Sequence, residues 1–161
     1  MDKEELNLVE GKLIFGDEKL ILVVDTNIVL SALLKEGLTR KILLSGKLIL
    51  FSPQELSFEV EKHALELGTK VGLNKETFLL LFEFIFKKAG ITQVNHKNYT
   101  AFCEVAKSVC PFGHLQDWPF IALALKENVP LWSNDSALKK QNLVKVITTP
   151  ELIQKLSLNP K

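Results

Sequence analysis

Four acidic side chains are spaced so that they could work together on a cation or a phosphate ester. Asp25 directly follows the apolar run Leu20-Ile21-Leu22-Val23-Val24. Asp135 follows Pro130-Leu131-Trp132 and the polar pair Ser133-Asn134. Asp117 opens a stretch rich in Ala and Leu, and Glu59 lies inside a helical pattern that begins after Ser52-Pro53. Carboxylates brought close together repel, and their pKa values rise unless a cation is present. All-oxygen donor sets suit hard divalent ions, Mg2+ or Mn2+. Such ions activate water and stabilise an in-line displacement at phosphorus.

Each acid also has a simpler reading. Asp25 and Asp135 each precede a helical stretch and would serve as N-caps. Asp117 would complement a helix dipole from the first turn. Glu59 would be solvated surface, like Glu55, Glu61 and Glu66 near it. The choice depends on whether the elements bring the acids to one place.

The continuous apolar run at 20–24 reads as a strand buried on both faces. A helical pattern covers 27–44, interrupted by Gly37 and closed by Ser45-Gly46. Leu48-Ile49-Leu50-Phe51 reads as the second strand, after which Ser52 caps and Pro53 opens a helix. Further helices are expected over 74–88, 98–109, 117–127, 136–141 and 150–156, and strands over 91–94, 130–132 and 144–147. A turn is expected at Pro111-Phe112-Gly113. Strands and helices alternate, which predicts an α/β fold with a mostly parallel sheet and helices on both faces. Ligands of such sheets bind at the carboxyl ends of the strands, where strand order reverses. Asp25 and Asp135 stand at two such ends. Residues 1–19 read as an N-terminal extension, with Leu13-Ile14-Phe15 as an extra edge strand or a partly ordered segment, and 20–161 as the domain.

The chain of 161 residues and 18.1 kDa fits one domain and can bury a core without staples. Lys and Arg number 20 against 19 Asp and Glu, giving a net charge of +1 that excludes a polycation or an acidic tail. Arg40 is the only arginine. Cys103 and Cys110 are too few for a disulfide scaffold and read as small buried hydrophobes on one helix face, rather than as a zinc site with His114 or His96. The acidic start MDKEELNLVE does not resemble a secretory signal, and no apolar run reaches membrane-spanning length. The expected location is the cytoplasm.

The motifs, in order, resemble those of PIN domains, a family of metal-dependent ribonucleases. Val23-Val24-Asp25-Thr26-Asn27-Ile28-Val29-Leu30-Ser31-Ala32-Leu33-Leu34 is similar to the family's opening motif. Ser52-Pro53 with Glu59 is similar to the second, Asp117-Trp118-Pro119-Phe120-Ile121-Ala122-Leu123-Ala124 to the third, and Leu131-Trp132-Ser133-Asn134-Asp135 to the fourth. The resemblance covers about residues 20–156. It implies a three-layer α/β/α sandwich with a sheet of about five strands. It also implies catalytic and metal-binding roles for Asp25, Glu59, Asp117 and Asp135, with Asp25 as the central ligand. Thr26, Asn27, Ser133 and Asn134 would be polar supports. The implied activity is Mg2+- or Mn2+-dependent cleavage of RNA. Small prokaryotic members of the family are often toxins of toxin–antitoxin pairs, so an antitoxin and a homodimer are implied partners.

This chain departs from the pattern at His114, where related sequences often carry a further acid. His114, Trp118, Lys35 and Arg40 are the candidates for contact with RNA, Trp118 by base stacking and the cations through phosphate. Two other readings remain open at this point. One is a non-catalytic PIN-like module that binds RNA or protein. The other is a phosphoacceptor or phosphohydrolase using Asp25 as nucleophile, although D-T-N fits neither of its usual motifs.

Overall fold

The computed structural model describes residues 8–9, 12–13 and 19–158. Two short strands, β1 (Leu8–Val9) and β2 (Lys12–Leu13), pair antiparallel as a separate sheet. Leu13 is therefore not an edge strand of the main sheet, while Ile14 and Phe15 lie outside the described residues. The main sheet holds β3 (Leu20–Val24), β4 (Leu48–Pro53), β5 (Thr92–Val94), β6 (Leu131–Trp132) and β7 (Val146–Ile147). Its order is β5-β4-β3-β6-β7, and every pairing is parallel.

The helices are α1 (Thr26–Leu34), α2 (Leu38–Leu43), α3 (Glu55–Lys62), α4 (Ala64–Lys70), α5 (Lys75–Lys88), α6 (Cys103–Val109), α7 (Trp118–Glu127) and α8 (Thr149–Leu158). The handedness of parallel crossovers assigns the layers. The chain steps from β3 to β4 to β5 in one direction, so α1 to α5 cover one face. It then crosses back from β5 to β6, so α6 and α7 cover the other. The packing agrees: α1 touches α2, α3 and α5, whereas α7 touches α6 and lies across β3, β4 and β6. The result is the three-layer α/β/α sandwich expected from the alternating pattern.

The core follows from the apolar runs. Val23 and Val24 are fully buried in β3, as are Leu131 and Trp132 in β6. Helix α7 buries Phe120, Ile121, Ala122, Leu123 and Ala124 in succession, because the sheet lies on one side and α6 on another. Its small alanines permit that close approach. It ends at Asn128, whose left-handed φ of 58° turns the chain toward β6.

Local differences from the sequence expectations have physical causes. The helical pattern over 27–44 is two helices, parted at Lys35 to Gly37. Ser52 and Pro53 belong to β4 rather than opening α3, because pairing with β5 continues through Ser52↔Gln93 and Pro53↔Val94. By Pro53 the pairing with β3 has ended, so the missing proline N–H costs no ladder bond. The helix expected over 98–109 begins instead as two 3-10 turns, His96–Asn98 and Thr100–Phe102. The helix expected over 136–141 is a single 3-10 turn, Leu138–Lys140.

Arg40 has a structural position. Its Nε donates to the carbonyl of Ala32 at 2.6 Å and its Nη2 to that of Leu33 at 3.2 Å. These are end-of-helix carbonyls of α1 that have no partner within the helix. The guanidinium fork spans two carbonyls, which a lysine ammonium cannot match. Arg40→Met is expected to lower the unfolding free energy by about 1–3 kcal/mol, and Arg40→Lys to recover only part of it. Urea unfolding midpoints of the three proteins test this, and equal midpoints would remove the clamp.

Candidate active site

The sheet reverses its order between β3 and β6, and the acids gather at the carboxyl ends of those two strands. Val24 pairs with Trp132, so Asp25 and Ser133 emerge side by side from neighbouring strands. Asp25 occupies the N-cap position of α1, but its side chain makes no capping bond. Its Oδ2 instead accepts from the Ser133 hydroxyl at 2.7 Å, and the carboxyl is only 5% exposed. Asp117 likewise sits at the N-cap position of α7 without capping it. Asp135 keeps part of the simpler role, since its Oδ1 accepts from the Ala137 amide at 2.9 Å. The Ser133 hydroxyl also accepts from the Asp135 amide at 3.1 Å, so one serine ties two of the acids together.

Glu59 is brought in from α3. The Thr26 hydroxyl donates to its Oε1 at 2.6 Å, linking the first turn of α1 to the helix after β4. Glu59 is therefore half-buried and held, not solvated surface, while Glu61 on the same helix is exposed. Glu55, one turn earlier, serves a different cluster. It accepts from the Tyr99 hydroxyl and faces His96 Nδ1 at 2.7 Å. Gln54 adds its side-chain oxygen to the His96 amide at 2.7 Å. This network, unforeseen in the sequence, fixes the start of α3 and hence the placement of Glu59.

The electrostatics record the crowding. Burial pushes the Asp25 carboxyl up from 3.8 to about 6. The Ser133 hydrogen bond opposes the rise, the charge of Asp117 adds to it, the Thr26 amide opposes it, and Glu59 adds to it. Burial also raises Glu59, partly offset by Thr26 and reinforced by Asp117. Asp117 is raised by burial, held down by the hydrogen bond and charge of His114, and pushed up by Asp135. Four carboxylates thus share one crevice and feel each other's charge.

His114 stands among them. A tight turn, with Gly113 at φ +82° and the His114 amide donating to the Pro111 carbonyl at 2.9 Å, presents its ring. Its Nδ1 lies 3.2 Å from Asp117 Oδ2 and 3.3 Å from Asp135 Oδ2. Among the described residues, His114, Asp117 and Asp135 form the group whose ligand atoms all lie within 4.8 Å of one another. Asp25 and Glu59 lie outside that tight group, yet both feel the charge of Asp117. A donor set of carboxylates with one imidazole, whose mutual repulsion a cation would relieve, fits a divalent metal ion.

The remaining sequence candidates separate from this centre. Asn27 is exposed in the first turn of α1. Asn134 Oδ1 accepts from the Thr149 amide at 2.7 Å, so it secures the start of α8 rather than an acid. Lys35 and Arg40 stand beyond the far end of α1, whose nine residues span roughly 13 Å, so neither joins the acids. Trp118 packs edge-on against His96, 5.6 Å between ring centres, with Lys107 Nζ 5.6 Å from its own ring centre. Its half-buried ring thus has protein partners on more than one side. Trp132 is core, its Nε1 donating to Thr149 Oγ1 at 3.0 Å. Cys103 and Cys110 are free and half-buried. They do not share one helix face: Cys103 opens α6, whereas Cys110 follows its end and donates weakly to the Ala106 and Leu115 carbonyls. No cysteine joins a metal-competent group among the described residues.

Known proteins were compared with the chain. A family model described as a PIN domain matches residues 23–157. No curated protein matches significantly. Among solved structures, the chain is similar to the crystal structure of VapBC2 from Rickettsia felis bound to a DNA fragment from its promoter. The TM-score is 0.58 and the identity 15%, with 80% of this chain and 98% of that chain covered. At that identity the likeness shows the fold. Within the described residues no helix is long and apolar enough to cross a membrane.

The raised carboxyls fix the sign of a pH effect. A folded value above the unfolded one means that the native state binds the proton more tightly. The associated stability is present below the unfolded value and is lost as pH rises through the folded one. For Asp25, moving from 3.8 to about 6, the loss is on the order of 3 kcal/mol. In EDTA, wild-type thermal stability should therefore decline relative to Asp25→Asn as pH rises from about 4 to about 7. A difference between the two proteins that stays flat across that window would show that Asp25 is not held in a crowded site.

Proposed function

The chain belongs to the PIN domain family, and from that membership we propose that it is a metal-dependent endoribonuclease, acting as the toxin of a toxin–antitoxin pair. The observation that carries the nuclease reading is the buried Asp25, which forgoes its capping bond to sit beside Ser133 within the field of Asp117 and Glu59. A helix cap would gain nothing from such burial. A carboxylate buried beside other acids is relieved by a cation.

Asp25, Asp117 and Asp135 would hold Mg2+ or Mn2+. A bound ion would supply positive charge at the scissile phosphate and lower the pKa of a water molecule. Ser133 orients Asp25 and the backbone of Asp135 at once. Glu59, kept in place by Thr26 and raised by burial, is suited to take a proton from the attacking water. The phosphodiester is cleaved when water displaces the leaving oxygen in line. The backbone of the RNA would meet lysines, among them Lys107, which lies over the ring of Trp118 next to Asp117 in sequence. The likeness to VapBC2 supports an antitoxin partner, and the family supports a homodimer.

Cleavage of RNA by the purified protein should require Mn2+ or Mg2+ and stop in EDTA. Asp25→Asn should abolish it while keeping a cooperative unfolding transition. Ser133→Ala should lower kcat by about 10–100-fold, the usual effect of losing a group that orients a ligand. A folded Asp25→Asn protein that cleaves as fast as wild type would overturn the assignment. A wild-type protein that binds RNA without cleaving it would favour the non-catalytic binding module.

A further inference from the structure

His114 lies where its ring nitrogen faces two acids at once, and that geometry resembles part of a coordination shell. Nδ1 is 3.2 Å from Asp117 Oδ2 and 3.3 Å from Asp135 Oδ2, and the three residues each offer a ligand atom within 4.8 Å of the other two. Ligands held at ~2.1 Å in an octahedral array lie about 3.0 Å from their neighbours. Ligands held at ~2.0 Å in a tetrahedral array lie about 3.3 Å apart. The two nitrogen–oxygen separations lie at the tetrahedral edge and within 0.3 Å of the octahedral one.

The ring is also prepared for that position. Gly113 adopts a left-handed φ of +82°, the His114 amide donates to Pro111, and the His114 carbonyl accepts from the Asp117 amide at 3.0 Å. The turn thus sets the histidine and Asp117 relative to each other through the backbone. The side chain of His114 is 29% exposed, so the nitrogen is reachable without being loose.

Resting on the reading that the acids hold a divalent cation, the geometry points to His114 Nδ1 as a direct ligand of that ion, shared with Asp117 and Asp135. With its proton on Nε2, the ring offers the Nδ1 lone pair to the ion. Replacing an oxygen donor by imidazole shifts the preference of the site. Mg2+ favours oxygen and water, whereas imidazole suits transition metals. The site therefore selects Mn2+, or a later transition ion such as Zn2+, over Mg2+.

The test is pulsed electron paramagnetic resonance of the purified full chain loaded with MnCl2, alongside calorimetric titration with MnCl2 and MgCl2. Wild type should show nitrogen-14 coupling to the bound Mn2+. His114→Asp should still bind Mn2+ but lose the coupling, and its preference for Mn2+ over Mg2+ should fall by about tenfold or more. His114→Ala should lose the coupling as well and bind Mn2+ more weakly. Mn2+ bound to wild type without nitrogen coupling, or coupling that persists in His114→Asp, overturns the ligand assignment and leaves the cation site standing. Absence of Mn2+ binding in the wild type overturns both the ligand assignment and the metal-dependent reading.

Discussion

Mutual repulsion among carboxylates is the constraint around which this molecule is arranged. Asp25, Glu59, Asp117 and Asp135 come from four separate stretches of chain, and bringing them together in a partly dry crevice is unfavourable. The rest of the fold offsets that cost. Parallel pairing of β3 with β6 aligns Asp25 and Ser133, and α7 delivers Asp117 from above a deeply apolar face. The hydroxyls of Ser133 and Thr26 then donate to two of the acids, as neutral groups that stabilise charge without cancelling it. Among the described residues, His114 is the basic side chain in ion-pair contact with Asp117 and Asp135.

The outline of the fold was legible because each buried strand has a pattern that water would not permit outside a sheet. Leu20 to Val24 is the clearest case, and its position at the centre follows from burial on both faces. The layers follow from crossover handedness once the strand order is known. What the sequence did not display is the detail that depends on contacts between distant residues. Ser52-Pro53 has the chemistry of a helix start, yet pairing with a strand some forty residues later keeps it extended. The split of the 98–109 segment depends on Tyr99 reaching Glu55, 44 positions away.

The site was legible in a similar measure. The strand-end rule places Asp25 and Ser133 together because it is a property of sheet topology, not of local propensity. Where the other candidate side chains lie depends on contacts that the sequence does not display. Lys35 caps the far end of α1 and Arg40 lies in α2 beyond it, so the length of α1 separates both from Asp25 at its start. Asn134 sits between two site residues, and alternation turns it toward α8. Trp118 is beside Asp117 in the chain, but its ring completes a cluster with His96 and Tyr99. That cluster is continuous with Glu55 and so braces α3 against the start of α7.

The hydrogen bond from Ser133 to Asp25 joins residues separated by 108 positions. Its span has a meaning for the order in which the protein comes into being. A chain leaving the ribosome exposes Asp25 early, while strand β6 and the loop that carries Asp135 follow only after most of the domain has been made. Contacts of such long separation cost more loop-closure entropy to form than local ones do. The site is therefore incomplete until β6 and the loop that carries Asp135 have been made.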